Sequence, residues 1–100
     1  APLIITPDLI LNQTSEIYGF SREDLVGASR RRPLVTARQV SMYVFRELTD
    51  LSYPAIGREF GDRDHTTVIH AVEKITRLMA ERREIYDQVS TLTSNVRSGK

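Results

Sequence analysis

Apolar residues along this chain recur at intervals of three and four and almost never alternate with polar ones. Val40, Val44, Leu48 and Leu51 mark one such run, with Ala37 and Phe45 on its flanks. Val68, Val72, Ile75 and Met79 mark a second, and Ile85, Val89, Leu92 and Val96 a third. This spacing lays an apolar stripe along one side of an α-helix, which then buries against a core. No stretch combines strict alternation with β-branched enrichment, so no strand is expected. The expected fold class is all-α, a compact helical domain of about six helices.

Polar punctuation divides these runs. Thr6 is placed to cap a first helix with Pro7 at its first position, and the helix ends before Gly19. It carries Leu9, Ile10, Leu11 and Ile17 inward. Ser21 caps a short second helix, with Asp24 as the carboxylate of a capping-box variant, and Gly27 stops it. A loop from Ala28 to Pro33 follows. The third helix is expected from Leu34 or Val35 to Asp50, with a short fourth from about Pro54 to Phe60. Gly61-Asp62-Arg63 forms a turn, and Asp64 caps a fifth helix that reaches Arg82 or Arg83. A last amphipathic segment packs back on the core, and Arg97-Ser98-Gly99-Lys100 is expected to fray. The pattern leaves open whether the first helix packs on the domain or serves as a linker.

One hundred residues suffice for a single core. The absence of cysteine excludes disulfides and thiolate chemistry. No apolar run is long enough to span a membrane, and the start Ala1-Pro2-Leu3-Ile4-Ile5 lacks the features of a signal peptide. Without an initiator methionine it reads as the cut end of a longer chain. The net charge is only +1, but its distribution is uneven. Between Leu25 and Arg46 there is no acid, and there are five arginines: Arg30, Arg31, Arg32, Arg38 and Arg46. Such a side fits either a solvated charged surface or a face that meets a polyanion.

The segment from Tyr53 to Ile75 favours the second. A short helix, a tight turn holding Gly61 and a longer helix make the layout of a helix-turn-helix. Ile56 and Phe60 give the short helix an apolar side against Val68 and Val72. The outer face of the second helix carries Arg63, Thr66, Thr67, His70, Lys74 and Arg77. Recognition helices meet base edges with their first residues, here Asp64, His65, Thr66 and Thr67, while later ones reach phosphates. Threonine methyls pack on thymine methyls, and histidine bonds to base or phosphate acceptors. Asp64 faces a polyanion as an acid, so it fits as a cap, as an acceptor from the cytosine amino group, or as both. Arg30, Arg31 and Arg32 on the loop suit an adjacent minor groove, where A·T-rich sequence concentrates negative potential. Arg38, Gln39 and Arg46 are placed for backbone contacts.

Other chemistry finds little support. His65 and His70 lie five apart, so they do not share a helix face as a zinc pair does, and no metal site is expected. There is no phosphate-cradling glycine loop and no local signature of a catalytic triad. The chain is therefore expected not to be an enzyme. Two other readings compete with sequence-specific duplex binding. One is a helix-turn-helix transcriptional regulator of a different operator. The other is a helical interaction module whose arginines meet an acidic partner.

The string GREFGDRDHTTVIHAVEKI, with TARQVSMYVFRELTDLSYPAIG and the basic loop upstream, closely resembles the C-terminal DNA-binding domain (domain IV) of the bacterial replication initiator family DnaA. The resemblance runs from about Leu9 to Leu92. It implies binding to nine-base-pair DnaA boxes in duplex DNA at the chromosomal origin, in the cytoplasm at the nucleoid. It implies base reading in the major groove by Asp64, His65, Thr66 and Thr67, and in the minor groove by Arg30. Arg31, Arg32, Arg38, Gln39, Arg46, Tyr53, Pro54, Arg63, His70 and Lys74 then fall at or beside the DNA backbone. Residues 1–20 become the N-terminal helix on the side of a missing AAA+ domain, and 21–100 the DNA-binding domain proper. ATP is expected only for that missing domain, so this fragment has no cofactor, and the isolated domain is expected to be monomeric. The apolar run from Leu3 to Ile10 further permits contact with acidic phospholipid. Two positions depart from the pattern: Asp62 stands where the family often has glycine, and Ala28 and Ser29 stand where it is often charged.

Overall fold

The computed structural model describes residues 4–99, and among these every regular element is helical. The order is α1 (Pro7–Tyr18), α2 (Arg22–Val26), α3 (Arg32–Leu48), α4 (Tyr53–Glu59), α5 (His65–Glu81) and α6 (Arg83–Arg97). The side-chain oxygens of Thr6, Ser21, Ser52 and Asp64 accept backbone N–H bonds at the starts of α1, α2, α4 and α5. Each cap satisfies a donor that the helix itself leaves unpaired. Gly19 closes α1 in the left-handed conformation, at φ 74°. Among the described residues no helix is long and apolar enough to cross a membrane.

α3 is the hub, touching each of the other five helices. Its buried Val40, Val44 and Phe45 meet Ile10 and Leu11 of α1, Ile56 of α4, Val68 and Ile75 of α5, and Leu92 and Val96 of α6 in one core. Phe45 stands edge-on to Phe60, with centroids 5.3 Å apart. Leu25, Leu34 and Ala37 make a smaller cluster beneath the basic loop.

α1 packs on α3 and α6. The buried Thr14 hydroxyl bonds to the Ile10 carbonyl at 2.7 Å and meets the Ser41 hydroxyl at 3.0 Å. The first helix is thus part of the domain. Ile10 lies in the core and Leu9 is half-buried, whereas Ile4 is 77% exposed. Leu3, at the start of the apolar run read as membrane-facing, lies outside the described residues, as does Lys100 of the tail.

Three expectations need correction. α3 begins at Arg32 rather than at Leu34 or Val35, because Pro33 sits in the first turn, where a missing N–H costs nothing. It stops at Leu48 rather than Asp50, where both the backbone N–H and the hydroxyl of Thr49 turn back to the Phe45 carbonyl. The innermost positions of α5 are Val68, Ala71 and Ile75, with Val72 and Met79 at the margin. The small Ala71 thus sits inside the stripe that the larger Val72 was expected to fill.

Candidate nucleic-acid interface

The α4–turn–α5 unit is built around two glycines. The Gly57 carbonyl accepts from Phe60 N at 3.1 Å and from Arg63 N at 2.9 Å, so one acceptor closes the whole turn. The Arg63 carbonyl returns against Gly57, leaving no room for a Cβ there. Gly61 and Asp62 both adopt left-handed backbone, at φ 75° and 59°. Glycine is the residue that does this without steric cost, and aspartate is among the few others that tolerate it. Ile56 and Phe60 below, with Val68 on α5, lock the two helices together.

The Asp64 carboxylate accepts from Thr66 N at 3.3 Å and lies 2.9 Å from His65 Nδ1. Its cap role is therefore real, and its side chain remains largely exposed beside an exposed His65. Thr66, Thr67, His70, Lys74 and Arg77 are all exposed. A polar and basic face thus stands on the buried stripe.

The basic loop lies beside this face. Arg30, Arg31 and Arg32 are exposed, and the Arg31 guanidinium stands 6.0 Å from the centre of the Phe20 ring. A cleft of about 530 Å³ is lined by Ser29 and Arg30 of the loop, Gln39 of α3 and Thr67 of α5. A second, of about 460 Å³, is lined by Arg30, Arg32, Lys74 and Arg82. Neither cleft has an acid in its wall. Arg30 borders both, so the structure brings loop and helix onto one basic surface. Arg82 is an addition that helical spacing did not reveal, because it sits at the α5–α6 corner.

Arg46, Tyr53 and Pro54 gather at the start of α4, outside those two clefts. The Arg46 guanidinium stacks 4.4 Å from the centre of the Tyr53 ring and donates to the Leu51 carbonyl at 3.2 Å. Arg46 and Pro54 are exposed.

Two of the expected backbone contacts, Arg38 and Arg63, are engaged with carbonyls of the protein itself. Arg38 is only 4% exposed. Its Nε donates to the Leu25 carbonyl at 2.7 Å, Nη1 to Ser29 at 3.1 Å and Nη2 to Asp24 at 3.1 Å. Burial, and then the nearby Arg63 charge, lowers its pKa from the usual arginine value. Arg63 is half-buried and donates through Nη2 to the Gly27 carbonyl, while its Nε is buried with no partner among the described residues. Its pKa is lowered by burial and then by Arg30. Neither side chain projects freely toward a phosphate, because carbonyls of the loop and its approach already hold both.

Comparison with known proteins places this unit. Residues 7–75 match the family described as bacterial dnaA protein helix-turn-helix. The chain belongs to that DnaA family. α4, the turn and α5 are accordingly the helix-turn-helix of a DNA-binding domain. The chromosomal replication initiator protein DnaA of Cutibacterium acnes is 53% identical over 93 residues, which cover 93% of this chain and 19% of that protein. The DnaA proteins of Clavibacter sepedonicus and Clavibacter michiganensis subsp. michiganensis are each 52% identical over 94 residues, 94% of this chain and 20% of theirs. The chain therefore spans about a fifth of the length of these DnaA relatives.

Proposed function

We propose that this chain binds duplex DNA sequence-specifically at the replication origin, recognising nine-base-pair DnaA boxes such as TTATCCACA. In this reading α5 enters the major groove and Asp64, His65, Thr66 and Thr67 read base edges. Arg30 enters the adjacent minor groove. The observation that carries the reading is the shared position of Arg30 on both acid-free clefts, beside Thr67 in one and Lys74 in the other. A helix end and a basic loop on one surface match a duplex, whose grooves lie side by side across a phosphate ridge.

Chemistry assigns the roles. The Thr66 and Thr67 methyls suit thymine methyls, and the Asp64 carboxylate suits a cytosine amino group. Arg31, Arg32, Gln39, Arg46, Tyr53, Pro54, His70 and Lys74 hold the phosphate backbone. The relatives are named as chromosomal replication initiators, so the domain supplies an initiator with its address on nucleoid DNA, one copy per box. ATP chemistry belongs to other parts of such a protein.

Two substitutions separate reading from holding. Thr66→Ala should cost roughly 1–3 kcal/mol on the box and leave scrambled DNA nearly unaffected. Lys74→Ala should weaken all duplexes alike and reduce the salt slope by about one. Equal losses on box and scrambled DNA for Thr66→Ala would remove α5 from the reading role. Fluorescence anisotropy with labelled duplexes at two salt concentrations measures both.

A further inference from the structure

The loop that carries Arg30 has no regular structure, yet the backbone that runs from the end of α2 into it is held at four points, one of them, Ser29, within the loop itself. Arg38, rooted in the central helix α3, takes the carbonyls of Asp24, Leu25 and Ser29. Arg63, at the entrance to α5, takes the carbonyl of Gly27. Gly61 in the same turn abuts the carbonyl of Val26, and a Cβ there would come within 2.5 Å of it. One segment is thus clasped from the hub of the core and from the turn that aims the recognition helix.

This arrangement is costly. Two guanidinium groups give up water without a carboxylate partner, and one nitrogen of Arg63 is left with no acceptor among the described residues. Two buried apolar side chains would fill the space at lower electrostatic cost. What only a guanidinium supplies is several N–H groups in a rigid plane, which fix the directions of several carbonyls together. A lysine ammonium in the place of Arg38 cannot reproduce three contacts spread along a planar fork.

We propose that Arg38 and Arg63 are positioning residues that fix the reach and phase of the Arg30 loop relative to α5. The domain then recognises the distance between its minor-groove and major-groove contacts as well as their sequences. This inference rests on the reading that Arg30 and α5 enter adjacent grooves.

The test uses the 100-residue chain and labelled duplexes. One carries TTATCCACA, one has the A·T-rich TTAT half replaced by G·C pairs, one has a base pair replaced within CCACA, and one has a base pair inserted between the halves. The unaltered chain should lose about tenfold or more on each altered duplex. Arg38→Lys should bind the intact box more weakly and lose less than about threefold on replacement of TTAT or on insertion. Its loss on replacement within CCACA should stay near tenfold. Arg63→Lys should follow the same pattern, and Arg30→Ala gives the reference for a lost minor-groove contact. If Arg38→Lys weakens all duplexes by one factor and keeps every penalty, Arg38 is a phosphate contact or a general prop, and the proposal falls. Thermal melting identifies a variant that does not fold. In that case Arg63→Lys carries the same reading through its own contact to Gly27, and tolerance of the inserted base pair by the unaltered chain would itself overturn the proposal. An unaltered chain with no preference for TTATCCACA over scrambled DNA would sink the DNA reading and this inference with it.

Discussion

Asp64 caps α5, and substitution can separate that role from its proposed reading of bases. Its carboxylate caps α5 and also stands exposed beside His65. Asparagine caps a helix about as well as aspartate, whereas alanine does not. Asp64→Asn should therefore keep stability within a few tenths of a kcal/mol and alter base preference, while Asp64→Ala should also lose about 1 kcal/mol. Urea unfolding beside box and scrambled binding separates the two; an unchanged base preference in Asp64→Asn would leave Asp64 a cap alone. The cap was legible in the sequence, since a short acid stands immediately before a periodic run. The carbonyl contacts of Arg38 and Arg63 were not. Their partners are backbone carbonyls up to 36 residues away, and no pattern of side chains announces where a carbonyl will point. Both arginines therefore read as contacts to the DNA backbone.

At the scale of elements, the order of the six helices followed from apolar spacing and caps, because each principle acts within a few residues. The boundaries that escaped were the two ends of α3, set by Pro33 in its first turn and by Thr49 turning back to the Phe45 carbonyl. α5 and α6 meet at Arg82 in extended backbone, φ −129° and ψ 115°, with neither glycine nor proline to mark the corner. The α4–α5 joint offers a direct test of close approach. Gly57 is helical, so alanine there should stabilise α4 by about 1 kcal/mol on propensity alone. The Arg63 carbonyl occupies the space of the new methyl, and Gly57→Ala should instead destabilise the domain by about 2 kcal/mol or more. A variant as stable as the parent in urea titration would show that the joint has room for a methyl group. Loss of box binding with retained helical content would show that the angle between α4 and α5 matters to recognition.

Across the whole molecule, α1 is tied to the far end of the chain by Tyr18, whose hydroxyl donates to Gln88 Oε1 at 2.6 Å. Burial pushes the Tyr18 phenol well above its ordinary value of 10.0. In the interval between the two values the folded state holds a proton that the unfolded state has released. Stability from this group is therefore complete below about pH 10 and falls as pH rises beyond it. Tyr18→Phe should flatten that alkaline decline in urea melts between about pH 9 and about pH 11; an unchanged slope would assign the decline to other groups. Near-neutral total charge hid the gathering of Arg30, Arg32, Lys74 and Arg82 on one side. The acid-free stretch hinted at it, but only the packing of α3 against α5 brings the loop and α5 together. The central claim is that this surface reads a duplex. Fluorescence anisotropy of a labelled duplex bearing TTATCCACA, against a scrambled duplex at two salt concentrations, tests it most directly. Box binding about 10³-fold tighter than scrambled binding, with both weakened by salt, is the predicted result. Equal affinity for the two duplexes, or no binding to either, would contradict it.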